Sequence, residues 1–139
     1  MITKDEILMG RHIEYPLSDK LTQNLDTLIL RLNRFRAVFS KPMVVSSGYR
    51  PERFNIAAGG ALNSPHLSLE ACDFHDPLGD LDRFCLKNVL LLEECNLYLE
   101  SPKFTPGWCH LQTRPTKYRI FIPNYKLLPS AYPSVKVPE

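Results

Sequence analysis

Ser64-Pro65-His66-Leu67-Ser68-Leu69-Glu70-Ala71-Cys72-Asp73-Phe74-His75 carries the chain from a polar loop into a strand. The Ser-Pro step marks a turn, and Ala71 to His75 reads as a strand closed by the turn signal Asp76-Pro77-Leu78-Gly79. An aspartate flanked by Ala, Cys and Phe in such a strand needs a partner, because a lone buried carboxylate is costly. Two imidazoles are at hand: His66 in the loop, and His110 in the strand Trp108-Cys109-His110-Leu111. Two imidazoles and one carboxylate make a plausible three-ligand zinc site with an open fourth position. Nitrogen and oxygen donors without thiolates suit zinc. The competing reading is that the strand histidine is a hydrogen-bonded core residue. His75 competes with His66 as the partner of Asp73. Alternation puts Asp73 and His75 on one face, which makes His75 a substrate-side candidate. His12 lies in an N-terminal segment without a companion and reads as surface.

Upstream, Ser18 can cap a helix whose apolar positions Leu21, Leu25, Leu28, Ile29, Leu32, Phe35 and Phe39 follow one helical face. Pro42 ends it, and Arg31, Arg34 and Arg36 lie largely off the stripe as a solvated face. Met43 to Ser47 is a short strand broken by Gly48, followed by a polar, glycine-bearing loop from Tyr49 to about Pro65. Downstream, Asp80 or Asp82 can start a second helix reaching about Glu94, with Leu81, Phe84, Cys85, Val89 and Leu92 inward. Leu97 to Glu100, Trp108 to Thr113 and Tyr118 to Ile122 read as three further strands. The order predicts a single α+β domain over residues 1–122, with a mainly antiparallel sheet and flanking helices. Residues 123–139, with Pro123, Pro129, Pro133 and Pro138, read as an extended tail that packs on its own domain or docks on a protein partner.

The chain has 139 residues, 44% hydrophobic and 23% charged, which is one ordinary domain with a single core. Seventeen basic against fifteen acidic residues leave a net charge of +2, too mild for a nucleic-acid partner. No apolar stretch is long enough to span a membrane. The N-terminus, Met-Ile-Thr-Lys-Asp-Glu, lacks a signal sequence, so the protein is expected to be made in the cytoplasm. Cys72, Cys85, Cys95 and Cys109 form no CxxC pair and read as reduced, mostly buried thiols.

Ser46-Ser47-Gly48-Tyr49-Arg50-Pro51 resembles the SGYR element of the zinc D-Ala-D-Ala carboxypeptidase family. Asn55 with Gly59-Gly60-Ala61 resembles its N…GGA loop, Ser64 to Asp73 its SxHxxGxAxD signature, and Trp108-Cys109-His110-Leu111 its closing WxH strand. The resemblance covers about residues 43–122. It implies the fold shared with the hedgehog signalling domain, with His66, Asp73 and His110 binding zinc. It further implies cleavage of D-alanine-containing stem peptides of peptidoglycan, by a carboxypeptidase or an endopeptidase cut. Arg50 then resembles the arginine that holds a substrate carboxylate or the developing oxyanion, a task suited to an always-charged fork. Its alternative is a surface salt bridge. Ser64 resembles a serine lining the pocket, its alternative being a loop-capping hydroxyl. Many short members of this family are phage-encoded, so action on the wall after lysis, or as a virion component, is expected.

The sequence departs from the family at two places. Leu69 stands where the signature has glycine, a position that can require positive φ. The family's general base, a glutamate three residues before the last histidine or a histidine two before it, is replaced by Gly107 and Trp108. Glu100 is the best substitute, because the connection from Ser101 to Cys109 can bring it beside His110 if the strands pair. Its alternative is an exposed strand-end carboxylate. Glu70 is a weaker candidate, and Glu93 and Glu94 belong to a solvated helix face. Trp108 is expected to face away from His110, as core or cleft wall. Gln112 shares a face with His110 and is a candidate substrate contact. The other class of function is a non-catalytic zinc module for structure or assembly, favoured by the missing base and the Pro-rich tail.

Overall fold

The computed structural model describes residues 1–123. The protein partner expected at the Pro-rich tail falls on residues outside the described ones, apart from Pro123. Five strands form one sheet: β1 (Val45–Ser47), β2 (Ala71–His75), β3 (Tyr98–Glu100), β4 (Trp108–Gln112) and β5 (Ile120–Phe121). Their order is β1-β2-β4-β3-β5, antiparallel throughout except for the β3–β5 pair. The α+β class and the mainly antiparallel sheet agree with the sequence, and β2 and β4 sit inside the sheet rather than at its edges.

The main helix, α2 (Asp19–Phe39), starts where Ser18 accepts a hydrogen bond from the Leu21 amide at 3.1 Å. Its stripe of Leu25, Leu28, Leu32, Phe35 and Phe39 is buried, as the period demands. The other side of that core comes from Cys72, Phe74, Leu99, Cys109 and Leu111, the residues that alternate with the site-facing ones on β2, β3 and β4. All four cysteines are free and buried, consistent with the expectation of reduced thiols.

Four features differ from the sequence reading. A first helix, α1 (Lys4–Leu8), precedes the one expected. Its five residues are too short for periodicity, but Thr3 and Glu6 form a capping box that marks it in the sequence. The loop after Tyr49 contains a short helix, α3 (Glu52–Ala57). The helix expected to run to Glu94 is two helices, α4 (Asp80–Lys87) and α5 (Val89–Cys95). It breaks at Asn88, whose side-chain Nδ2 donates to the Phe84 carbonyl at 2.8 Å, a local bond that competes with the helical ladder. α4 starts at Asp80, as the sequence allowed, but its first turn is capped from outside the helix. Asp76, in the preceding turn, accepts from the Leu81 and Asp82 amides at 3.1 and 3.0 Å.

Leu69 adopts φ 58°, the left-handed conformation for which a glycine would be the undemanding choice. Its side chain is completely buried. The fold therefore keeps the turn and uses the side chain for packing, so the departure from the glycine signature leaves the loop path intact.

Candidate metal centre and cleft

The sheet ladder sets the geometry of the site. Asp73 on β2 lies directly opposite His110 on β4, and the His110 ring nitrogen Nδ1 is 2.7 Å from Asp73 Oδ1. His66 enters from the loop before β2 and brings Nε2 to 3.3 Å from Asp73 Oδ2. All three side chains are buried, and their potential ligand atoms lie within 4.8 Å of one another. Among the described residues this is the one such cluster.

Each ring is oriented from behind. His66 Nδ1 is 2.9 Å from the Gly48 carbonyl, which can only accept, so Nδ1 carries the proton and the Nε2 lone pair points at Asp73. Gly48 holds that position because α1 packs directly on it: the Tyr49 amide donates to the Ile7 carbonyl at 2.8 Å. A Cβ on Gly48 would lie 2.2 Å from the same Ile7 oxygen, so no other residue permits this approach. In the sequence Gly48 stood out as a strand breaker and as part of the SGYR element, not as the partner of His66. On the other ring, His110 Nε2 is 2.7 Å from Gln112 Oε1.

The charges follow from burial and proximity. Burial alone would raise the Asp73 carboxyl, but His66 and His110 beside it hold it far below the ordinary carboxylate range. Burial lowers His66, outweighing the opposing pull of Asp73. Burial would lower His110 too, but there the hydrogen bond and charge of Asp73 win and the pKa rises. With Nδ1 donating to the Gly48 carbonyl, a singly protonated His66 turns the Nε2 lone pair toward the Asp73 carboxylate at 3.3 Å, a repulsive contact that a cation between them would turn into an attraction.

The cluster opens into a cleft of about 660 Å³ whose walls include Arg50, the Gly59-Gly60-Ala61 segment, Trp108, Arg114 and Phe121. Arg50 donates from Nη2 to Asp73 Oδ2 at 3.0 Å and from Nε to Ser47 at 2.8 Å, so it is a member of the site rather than a surface ion pair. Ser64 lines the cleft and its hydroxyl also accepts from the His66 amide at 3.2 Å, which joins the two roles considered for it. Glu100 is buried and lines the cleft, with Oε1 3.9 Å from His110 Nδ1. It gets there because β3 pairs antiparallel with β4 in the register Leu99 opposite Leu111, which sets Glu100 beside His110.

Several candidates stand elsewhere. His75 is exposed and lines a separate depression with Phe39, Lys41 and Met43, so its expected substrate-side position is not met. It is the last residue of β2, beside the turn that Asp76 organises, and there face alternation with Asp73 no longer decides where the ring goes. Trp108 shares the cleft with His110, contrary to the expectation that it faces away, because positions two apart on a strand share a face. Gln112 lines the cleft but spends its amide within the protein, on His110 and on the Arg114 carbonyl at 2.9 Å. Glu70 is engaged by Arg114 at 3.0 Å and by Ser68, so it is a structural anion. Arg114 escaped the sequence reading; it ties Asn63, Ser68 and Glu70 to the end of β4.

A buried His-Asp-His cluster that could hold a metal ion lines an open cleft, an arrangement suited to a metal-dependent hydrolase. The sequence model of the peptidase M15 family matches residues 9–99, well over half of the chain, and the protein belongs to that family. The matched segment contains Arg50, His66 and Asp73, whereas Glu100 and His110 join the site through the sheet. The α+β architecture is the one this family implies. No curated protein and no solved structure matches the chain. Among the described residues no helix is long and apolar enough to cross a membrane.

Proposed function

We propose that the protein is a zinc-dependent peptidase that hydrolyses D-alanine-containing stem peptides of peptidoglycan. The observation that carries the metal is the contact just described: the His66 Nε2 lone pair, fixed by Gly48, faces ionised Asp73 Oδ2 at 3.3 Å. His66 Nε2, His110 Nδ1 and an Asp73 oxygen would hold the ion, and two nitrogens with one oxygen favour zinc among common divalent ions. When bound, such an ion polarises the scissile carbonyl and acidifies a water molecule.

The chain's own groups supply the rest. Glu100 takes the proton of the attacking water on Oε1 and returns it to the leaving amine, general catalysis worth about 10²–10⁴-fold. Its burial beside His110 supports this role and replaces the base missing at Gly107 and Trp108. Arg50 offers its fixed guanidinium to a terminal carboxylate or to the oxyanion. The wall of Ala58, Gly59, Gly60 and Ala61 suits an extended peptide with methyl-sized side chains. A non-catalytic zinc module drew its support from the missing base and the Pro-rich tail; the position of Glu100 answers the first of these and favours the enzyme, while the tail lies outside the described residues apart from Pro123.

The test is mass spectrometry of purified muropeptides after incubation with zinc-loaded protein, with His66→Ala as control. New fragments lost in the control are expected, and the released mass identifies the bond. An unchanged digest from folded, zinc-binding protein would favour the module instead.

A further inference from the structure

Gln112 stands against His110 in a way that decides which nitrogen of that ring can serve a metal. The Gln112 side chain is 3% exposed, so water does not compete for its amide. Its Nε2 donates to the Arg114 carbonyl at 2.9 Å, and its Oε1 lies 2.7 Å from His110 Nε2. The amide has one workable orientation. Reversing it would set oxygen against the Arg114 carbonyl and leave two acceptors facing each other. Arg114 is itself anchored, through Asn63 at 2.6 Å and Glu70 at 3.0 Å. Oε1 therefore meets the ring as a pure acceptor and keeps a proton on His110 Nε2, so Nδ1, which faces Asp73 Oδ1, is the nitrogen left to give up its proton to a metal.

We propose that Gln112 is a positioning residue that commits His110 to coordination through Nδ1, as the Gly48 carbonyl commits His66 to Nε2. This rests on the metal-centre reading above and adds to it the group that sets the donor atom. The two acceptors face the rings from opposite sides of the cluster: one is a backbone carbonyl held by α1, the other a side chain held by the strand end. Without Gln112 Oε1 the ring can place its proton on Nδ1, at 2.7 Å from Asp73 Oδ1, and satisfy the carboxylate by itself. That tautomer withdraws the lone pair from the site. A partner that sets ligand tautomer is typically worth about 10–100-fold in metal affinity.

Zinc affinity, measured by competition with a chromophoric chelator, separates the possibilities. Gln112→Leu removes the acceptor at similar size and is expected to weaken zinc about 10–100-fold. Gln112→Glu keeps an acceptor oxygen and is expected to stay within a few-fold of the parent protein. Equal affinity in Gln112→Leu and the parent would overturn the proposal. Absence of zinc binding by the parent protein would overturn the metal reading itself, a separate result. Should Gln112→Leu not fold, nitrogen-15 NMR of the zinc-loaded parent decides: the proton on His110 Nε2 supports the assignment, and the proton on Nδ1 refutes it.

Discussion

His110 Nδ1 sits 2.7 Å from Asp73 Oδ1, and the two residues are direct cross-strand partners on β2 and β4. The sheet ladder thus makes the shortest contact among the three candidate ligands, and His66 joins them from the loop before β2. On β3, one step beyond the Leu99–Leu111 pair, Glu100 adds a second carboxylate to the same ring. Three neighbouring strands place an acid, an imidazole and an acid side by side.

That pairing predicts a pH effect on the metal-free protein. Asp73 raises the folded-state pKa of His110, so the pair's contribution is fully present below the unfolded histidine value of about 6.5. It is lost as pH rises through the raised folded value. Urea unfolding in the presence of a chelator is expected to show stability falling from about pH 6.5 upward, and His110→Gln should lack that fall. Zinc affinity runs the other way and strengthens with pH, since the His110 proton must leave. Alkaline stability that does not decline in the chelated protein would refute the pairing.

Asp82 gives a second signature, away from the cleft. Burial raises its carboxyl to about 6, only partly opposed by hydrogen bonds from Cys109 and Thr105. A carboxyl that binds its proton more tightly when folded makes stability fall as pH rises, here between about 4 and 6. Asp82→Asn removes the charge while keeping a polar side chain. Its advantage over the parent should be greater at pH 7 than at pH 4 in paired denaturation curves. A constant difference across that range would show that Asp82 titrates normally.

Glu100→Gln tests the base. The variant keeps size and hydrogen bonding but cannot take a proton from water, so kcat on stem peptides should drop about 10²–10⁴-fold. Zinc affinity should change little. Loss of zinc together with activity would instead mark Glu100 as part of the metal-holding set.

Leu69→Gly sets two effects against each other. Relief of the left-handed backbone is worth about 1–2 kcal/mol. Removing a fully buried leucine costs more, about 3–5 kcal/mol for the cavity even with alanine as replacement. The cavity wins, and chemical denaturation should show a net loss of about 1–4 kcal/mol. A stabilised variant would mean that the turn strain exceeds the packing.

The elements with a strong period were legible: the Leu25 to Phe39 stripe, the Ala71 to His75 strand and the Trp108 to Gln112 strand all formed. Short or capped pieces were not. The α1 helix and the break at Asn88 are decided by single side-chain bonds to backbone, which leave no periodic trace. Within the site, His66, Asp73 and His110 were candidates by residue type, Arg50 and Ser64 only through the family resemblance, and all five line one cleft. His75 failed because strand alternation loses its hold at a strand end.

The sequence by itself determined the ligand types, the main helix, the central strands and the demand at Leu69 for an unusual turn. These are local matters, set by periodicity, residue chemistry and allowed backbone angles. Only the tertiary structure decided that Glu100 would stand at His110, that Gln112 would address the ring rather than a substrate, and that Gly48 would hold His66. Each depends on strand register or on the close approach of segments far apart in the chain. Those are fixed by the packing of the whole domain, which no local pattern encodes.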